Sequence, residues 1–161
     1  MIEFFNQHSA LIAIPAFIVA LVAVLPIQSW RKRIVTYSAS GGIAFLIVLS
    51  LQPGDSTVES SAEAQAVITS GSPVFVEFFS NSCAACLASQ PAVKSLEGEL
   101  NEEVQVLKLN VQDPISSNLV RDYRAFITPT FLVIGRDGEV LWRQSGRLLD
   151  KFAALDALKA A

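Results

Sequence analysis

Soft-metal ligands are almost missing from this chain, whose 161 residues include two cysteines, one histidine and one methionine. A structural zinc site takes about four nitrogen or sulfur ligands. The lone histidine, His8, stands far from both cysteines in the chain, so no metal site is expected. A structural disulfide framework is equally poorly supported, because a bond between Cys83 and Cys86 would close almost no loop. Basic surplus is absent too, with 12 Lys and Arg against 15 Asp and Glu. Without a cationic stripe to neutralise phosphates, nucleic acid is not an expected partner.

The shortage of charge is uneven. Up to Gly54 the only charged residues are Glu3, Arg31, Lys32 and Arg33. From Phe4 to Trp30 no side chain carries a fixed charge, and Leu11–Gln28 is almost wholly apolar. That length matches the roughly 20 residues a helix needs to cross a bilayer. Pro15 and Pro26 fall near the ends of this run, where a lost backbone bond costs least. A second uncharged stretch runs from Ile34 to Gly54, and its apolar core, Ile43–Leu51, follows the small residues Ser38–Gly42, which allow close helix packing. Residues 1–53 therefore read as two membrane helices, about 10–30 and 34–52, joined by a short basic loop. Arg31–Arg33 must reach an interface, Trp30 suits the aromatic belt, and the positive-inside rule puts that loop in the cytoplasm. Everything after the second helix then faces the periplasmic or other extracytoplasmic side, with the lipid bilayer as a partner. Two alternatives stay open: a signal-peptide-like reading of the basic cluster and its apolar run, and a second segment that only dips into the membrane.

Residues 54–62 have the composition of a linker, rich in Ser, Thr and acids after Pro53-Gly54. Residues 63–161 read as a second domain, acidic overall. The pattern predicts a short helix over Ala62–Thr69 and a buried strand over Val74–Phe79, then a helix over Leu87–Leu100 interrupted by Pro91. A strand over Val104–Asn110 and a helix over Ser116–Phe126 follow. Strands Thr130–Ile134 and Glu139–Gln144 flank the turn signal Asp137-Gly138, and an amphipathic helix, Leu148–Lys159, closes the chain. The order αβαβαββα implies an α/β fold, a mixed sheet covered by helices.

Strand, C-x-x-C, helix, strand, helix, Thr-Pro, hairpin and final helix together resemble the thioredoxin layout across Glu63–Ala161. VFVEFFSNSCAACLASQPAV stands at the family's strand, dithiol and kinked helix, and ITPTFLVIGRDGEV at its cis proline and hairpin. The fold class is thus a thioredoxin fold preceded by a transmembrane helical hairpin, similar to the membrane-tethered thioredoxins of cyanobacteria and thylakoids. The resemblance implies a thiol–disulfide oxidoreductase with no cofactor beyond a redox-active Cys83–Cys86 disulfide. It also implies partner proteins that contain disulfides. Since the apolar spans hold no cysteine, electrons would come from another membrane protein, with the CcdA type as the candidate.

A thiol at a helix N-terminus ionises readily, and the thiolate is the reactive form. Cys83 is expected to be the exposed nucleophile and Cys86 the resolving thiol one turn inside. Glu77 shares a strand face with Phe75 and Phe79, which favours burial, a raised pKa and proton transfer. In the family fold Pro129 is cis and faces the dithiol, leaving a backbone edge for an extended substrate, with Thr128 beside both cysteines. Ser82 replaces a tryptophan common in the family at a partner-contacting place, and Ala84-Ala85 replace Gly-Pro, so redox poise does not carry over. The competing reading is a non-catalytic binding or assembly subunit of a membrane complex. An oxidant of the DsbA kind would need a helical insertion for which the chain has no room.

Overall fold

The computed structural model describes residues 2–25 and 29–161. It opens with three helices, α1 (Ile2–Gln7), α2 (Ser9–Val24) and α3 (Trp30–Leu51). α2 and α3 pack against one another. With 22 residues and no buried side chain, α3 is long and apolar enough to cross a membrane. α2 has 16 residues, about 24 Å at 1.5 Å per residue, shorter than the first span read from the sequence. Arg31–Arg33 belong to the first turn of α3 instead of a loop, and the Arg31 guanidinium lies 5.9 Å from the Trp30 ring. Pro15 sits inside α2, because the helix begins at Ser9 with α1 just before it. Pro26 lies outside the described residues.

After the linker come α4 (Ser61–Ile68), β1 (Val74–Phe79), α5 (Ala84–Glu97), β2 (Gln105–Asn110), a 3-10 turn (Pro114–Ser116), α6 (Ser117–Asp122), β3 (Thr130–Ile134), β4 (Val140–Ser145) and α7 (Lys151–Lys159). Helix starts follow side-chain caps that present an oxygen to unpaired N–H groups. Ser60 Oγ accepts from Glu63 N–H (3.1 Å), and Asp150 Oδ1 accepts from Ala153 N–H (3.1 Å). The second cap explains why α7 begins at Lys151, later than its apolar pattern suggests. α6 stops early because Arg124 turns into the left-handed region, φ +49°.

The sheet order is β2–β1–β3–β4, with β1 parallel to β2 and both remaining pairs antiparallel. β4 carries one extra residue beside the hairpin, since Val133 faces Trp142 while Ile134 faces Val140. Every residue of β1 is buried, as a central strand between two helical layers requires. Val74, Val76 and Phe78 pack with Leu107, Leu109 and Leu132 beneath α4 and α6. Phe75 packs with Phe131 and Val133 beneath α5 and α7. Phe79, at the C-terminal end of β1, touches Cys83 and Cys86. The dithiol therefore sits at the carboxyl edge of the sheet, where open α/β sheets place their ligands.

Leu107 is fully buried in the first of these layers. Leu107→Ala is expected to lower stability by about 2–5 kcal/mol, read by denaturant unfolding of the detergent-solubilised chain through tryptophan fluorescence. Leu148→Ala, at an exposed position, should stay within about 0.5 kcal/mol of the parent.

Candidate active site

β1 delivers the chain to Ser80-Asn81-Ser82, and Cys83 becomes the N-cap of α5 with extended φ −91° and ψ 119°. Its sulfur accepts the Cys86 N–H at 3.2 Å, filling a place usually taken by a Ser, Thr or Asp oxygen. The helix consequently starts at Ala84, inside the motif, earlier than the apolar pattern alone suggests. Cys86 lies one turn in, and both cysteines are free thiols. Across the site the Thr128–Pro129 peptide is cis. Thr128 carbonyl oxygen accepts from Cys83 Sγ at 3.4 Å. Pro129 carbonyl oxygen accepts the Gly146 N–H at 2.8 Å. At Gly146 φ is +71° and an added Cβ would come within 3.1 Å of Ile127, so glycine is required there.

The two thiols are electrostatically unlike. Hydrogen bonding from Cys86 pulls the Cys83 pKa down to about 6, against the opposing effect of burial, with further help from Thr128 and backbone N–H groups. Burial and the neighbouring Cys83 push the Cys86 thiol strongly upward, so it holds its proton at neutral pH. As a thiol Cys83 donates to the Thr128 carbonyl; as the thiolate favoured above about pH 6 it only accepts, from Cys86.

Glu77 is fully buried on β1. Burial is the main cause that raises its pKa to about 7, opposed by Lys108, its register partner on β2. Lys108 is itself 3.5 Å from Glu97, which weakens that opposition. Glu77 Oε1 accepts from Gln90 Nε2 (3.2 Å), while Glu77 Oε2 and Gln90 Oε1 have no partner among the described residues. A proton on the carboxyl supplies the donor that this pair of acceptors calls for.

The structure thus gathers Cys83, Cys86, Thr128 and Pro129 and places Glu77 beneath them, close enough for its pKa to feel Cys83. Ser82 is turned elsewhere: its carbonyl accepts the Ala10 N–H (2.9 Å) and it lines a cavity of about 380 Å³ between α2 and α3. The expected exposure of Cys83 is not found. Both cysteines are 0 % exposed, because Asn6–Ala10 lies over them. Gln90 was missed in the sequence, although the positions 83, 86 and 90 follow one helix face. Asn6 and Ser9 had no local signal at all. Among the described residues no three His, Cys, Asp or Glu side chains converge as a metal site would require.

Comparison with known proteins gives a concordant picture. The thioredoxin family model matches residues 56–155. Thioredoxin 1 of Chlorobaculum tepidum is 32% identical over 93 residues, covering 57% of this chain and 88% of that protein. A Rickettsia felis thioredoxin is 28% identical over 97 residues, covering 58% and 90%. Among solved structures, a single-site mutant of a thioredoxin from Halobacterium salinarum superposes with a TM-score of 0.54 at 24% identity, covering 64% of this chain and 86% of the other. Oxidised thioredoxin O2 from Arabidopsis thaliana gives 0.53 at 17%, covering 64% and 90%. These two likenesses establish the fold.

Two pH measurements follow from the site. Iodoacetamide alkylation of Cys83 should rise with pH as the thiolate forms, reaching half its plateau near pH 6, while Cys86 stays unmodified. Folded Glu77 keeps its proton up to about pH 7, whereas an ordinary carboxyl loses it near 4.5. Its effect on stability is therefore nil below 4.5, grows more unfavourable between 4.5 and 7, and levels off above 7. At 1.36 kcal/mol per pH unit the gap amounts to about 3 kcal/mol at most. Glu77→Gln should raise stability toward that figure at pH 8 and leave it unchanged at pH 4, measured by denaturant unfolding at both values.

Proposed function

The chain belongs to the thioredoxin family, and on that premise we propose that it is a membrane-anchored oxidoreductase reducing disulfides of partner proteins outside the cytoplasm. The observation that carries this reading is Cys83 at the N-cap of α5, a thiolate held by the Cys86 N–H beside the Thr128–Pro129 edge. The Cys83 thiolate attacks one sulfur of a partner disulfide, a Cys83–partner bond forms, and the departing partner thiolate takes a proton. Cys86 then gives its proton to the Glu77 carboxylate and attacks the Cys83 sulfur. That step releases the second partner thiolate and leaves a Cys83–Cys86 disulfide, two electrons having passed to the partner. A carboxyl with a pKa of about 7 serves as base for one step and as acid when the dithiol is regenerated. Regeneration takes two electrons from a membrane dithiol donor, of the CcdA type by resemblance.

Anchoring is supported by α3, which is apolar, unburied and long enough to span. With Arg31–Arg33 at its start and the redox domain after its end, the positive-inside rule sends that domain out of the cytoplasm whether or not α2 also spans. A hairpin of two spans is favoured by the meeting of both its open ends with the redox domain. Ala10 at the start of α2 bonds to Ser82, and Gln52 just after α3 lines the same cavity as Asn81. A purely structural binding subunit would need neither sulfur.

The full chain in lipid nanodiscs is expected to reduce insulin disulfides, and Cys83→Ser to abolish that activity. Cys86→Ala should instead accumulate mixed disulfides with partners in native membranes, seen on non-reducing gels. Undiminished reduction by Cys83→Ser would sink the mechanism, and a Cys-free chain that sustains function in cells would favour the binding subunit.

A further inference from the structure

An extended substrate would pair with the backbone of Thr128, yet that backbone is already occupied from within the chain. Asn6 Nδ2 donates to the Thr128 carbonyl at 2.9 Å, and Asn6 Oδ1 accepts the Thr128 N–H at 2.6 Å. The Thr128 hydroxyl donates to the same Oδ1 at 3.0 Å. A carboxamide presents one N–H edge and one carbonyl, the groups a peptide bond presents, so Asn6 satisfies this edge as a substrate strand would. The residues after Asn6 seat it on both sides of Cys83. Gln7 carbonyl oxygen accepts from the Ser80 hydroxyl (2.8 Å), Ser9 Oγ accepts the Ala84 N–H (2.9 Å), and Ala10 N–H donates to the Ser82 carbonyl (2.9 Å). The Ser9 contact satisfies a donor in the first turn of α5 that would otherwise face a ligand. Beneath this strap Cys83, Cys86 and Thr128 are all 0 % exposed.

We propose that Asn6 is a specificity-determining residue of the redox reaction: it fills the Thr128 pairing edge until a partner peptide takes its place. The proposal rests on the reading of Cys83 as nucleophile. A disulfide flanked by extended peptide brings its own N–H and carbonyl groups, and so replaces the bonds that Asn6 gives up. A small disulfide has nothing to offer Thr128 and does not replace the two backbone bonds that Asn6 gives up, a cost that discriminates against it.

The test uses the full chain in nanodiscs with three readouts: iodoacetamide alkylation of Cys83, hydrogen exchange at the Thr128 amide, and kcat/KM for insulin against 2-hydroxyethyl disulfide. Asn6→Ala should speed alkylation about tenfold, equivalent to about 1.4 kcal/mol, and expose the Thr128 amide to exchange. It should raise kcat/KM for the small disulfide by a similar factor and that for insulin by less, narrowing the preference. Asn6→Asp, which keeps the acceptor and loses the donor, should fall between the two. Unchanged alkylation and exchange in both variants, or an equal fall on both disulfides, would overturn the proposal and leave Asn6 a structural prop. Cys83→Ser separates the two readings. If reduction persists in Cys83→Ser while Asn6→Ala still accelerates alkylation of Cys83, the nucleophile assignment fails and the occlusion of that thiol by Asn6 stands.

Discussion

The end of β1 and the start of α5 meet at one residue, and the chemistry depends on what that residue offers the helix. The first N–H groups of any helix lack intrahelical partners and carry the positive end of its dipole. Cys83 meets that demand with sulfur, which accepts from Cys86 N–H. A thiolate accepts more strongly than a thiol, so the same contact that starts the helix favours ionisation. Structure and reactivity are here a single hydrogen bond. Cys86 lies one turn deeper, keeps its proton and donates to its neighbour, which makes the two thiols electrostatically unlike, as the proposed division into attacker and resolver requires.

Charge beneath the dithiol is governed by burial. Glu77 belongs to a strand buried along its whole length, and the cation facing it in register, Lys108, is drawn toward Glu97. Desolvation therefore outweighs attraction and the carboxyl titrates near neutrality. The strand that supplies the hydrophobic core also carries this titrating carboxyl, and the core bears the destabilisation that its ionisation entails.

The N-terminal residues join the apolar helices α2 and α3 to the dithiol. α2 begins beside the dithiol because Ser9 and Ala10 bond to the residues on either side of Cys83. An anchor attached by a flexible linker alone would leave the site open to solvent. Here the N-terminal segment reaches back across the sheet edge and covers it, which ties access to the sulfur to the position of the first helices.

Much of this was legible in the chain. Short, mostly apolar runs bounded by turn residues located β1 and β3 to the residue, since a central strand is covered on both faces. The C-x-x-C, Thr-Pro and Asp-Gly spacing together identified the family that the profile match over residues 56–155 bears out. Glu77 was recognisable as buried because its own strand face is otherwise aromatic. Helix boundaries were less legible, because caps such as Asp150 and the sulfur of Cys83 decide them and hydropathy does not register a cap. Gln90 was half visible, one turn after Cys86 on the same helix face, but its role needs Glu77 from another element beside it. Asn6 could not be read from sequence at all. It meets Thr128 across 122 positions of chain, and only the folded arrangement of α1 over the sheet edge brings the two together. The sequence by itself determined the family and the fold, because the types and spacing of its residues set local structure. Tertiary structure alone decided that the dithiol is closed, because burial depends on what packs over a residue, and here that comes from the far end of the chain.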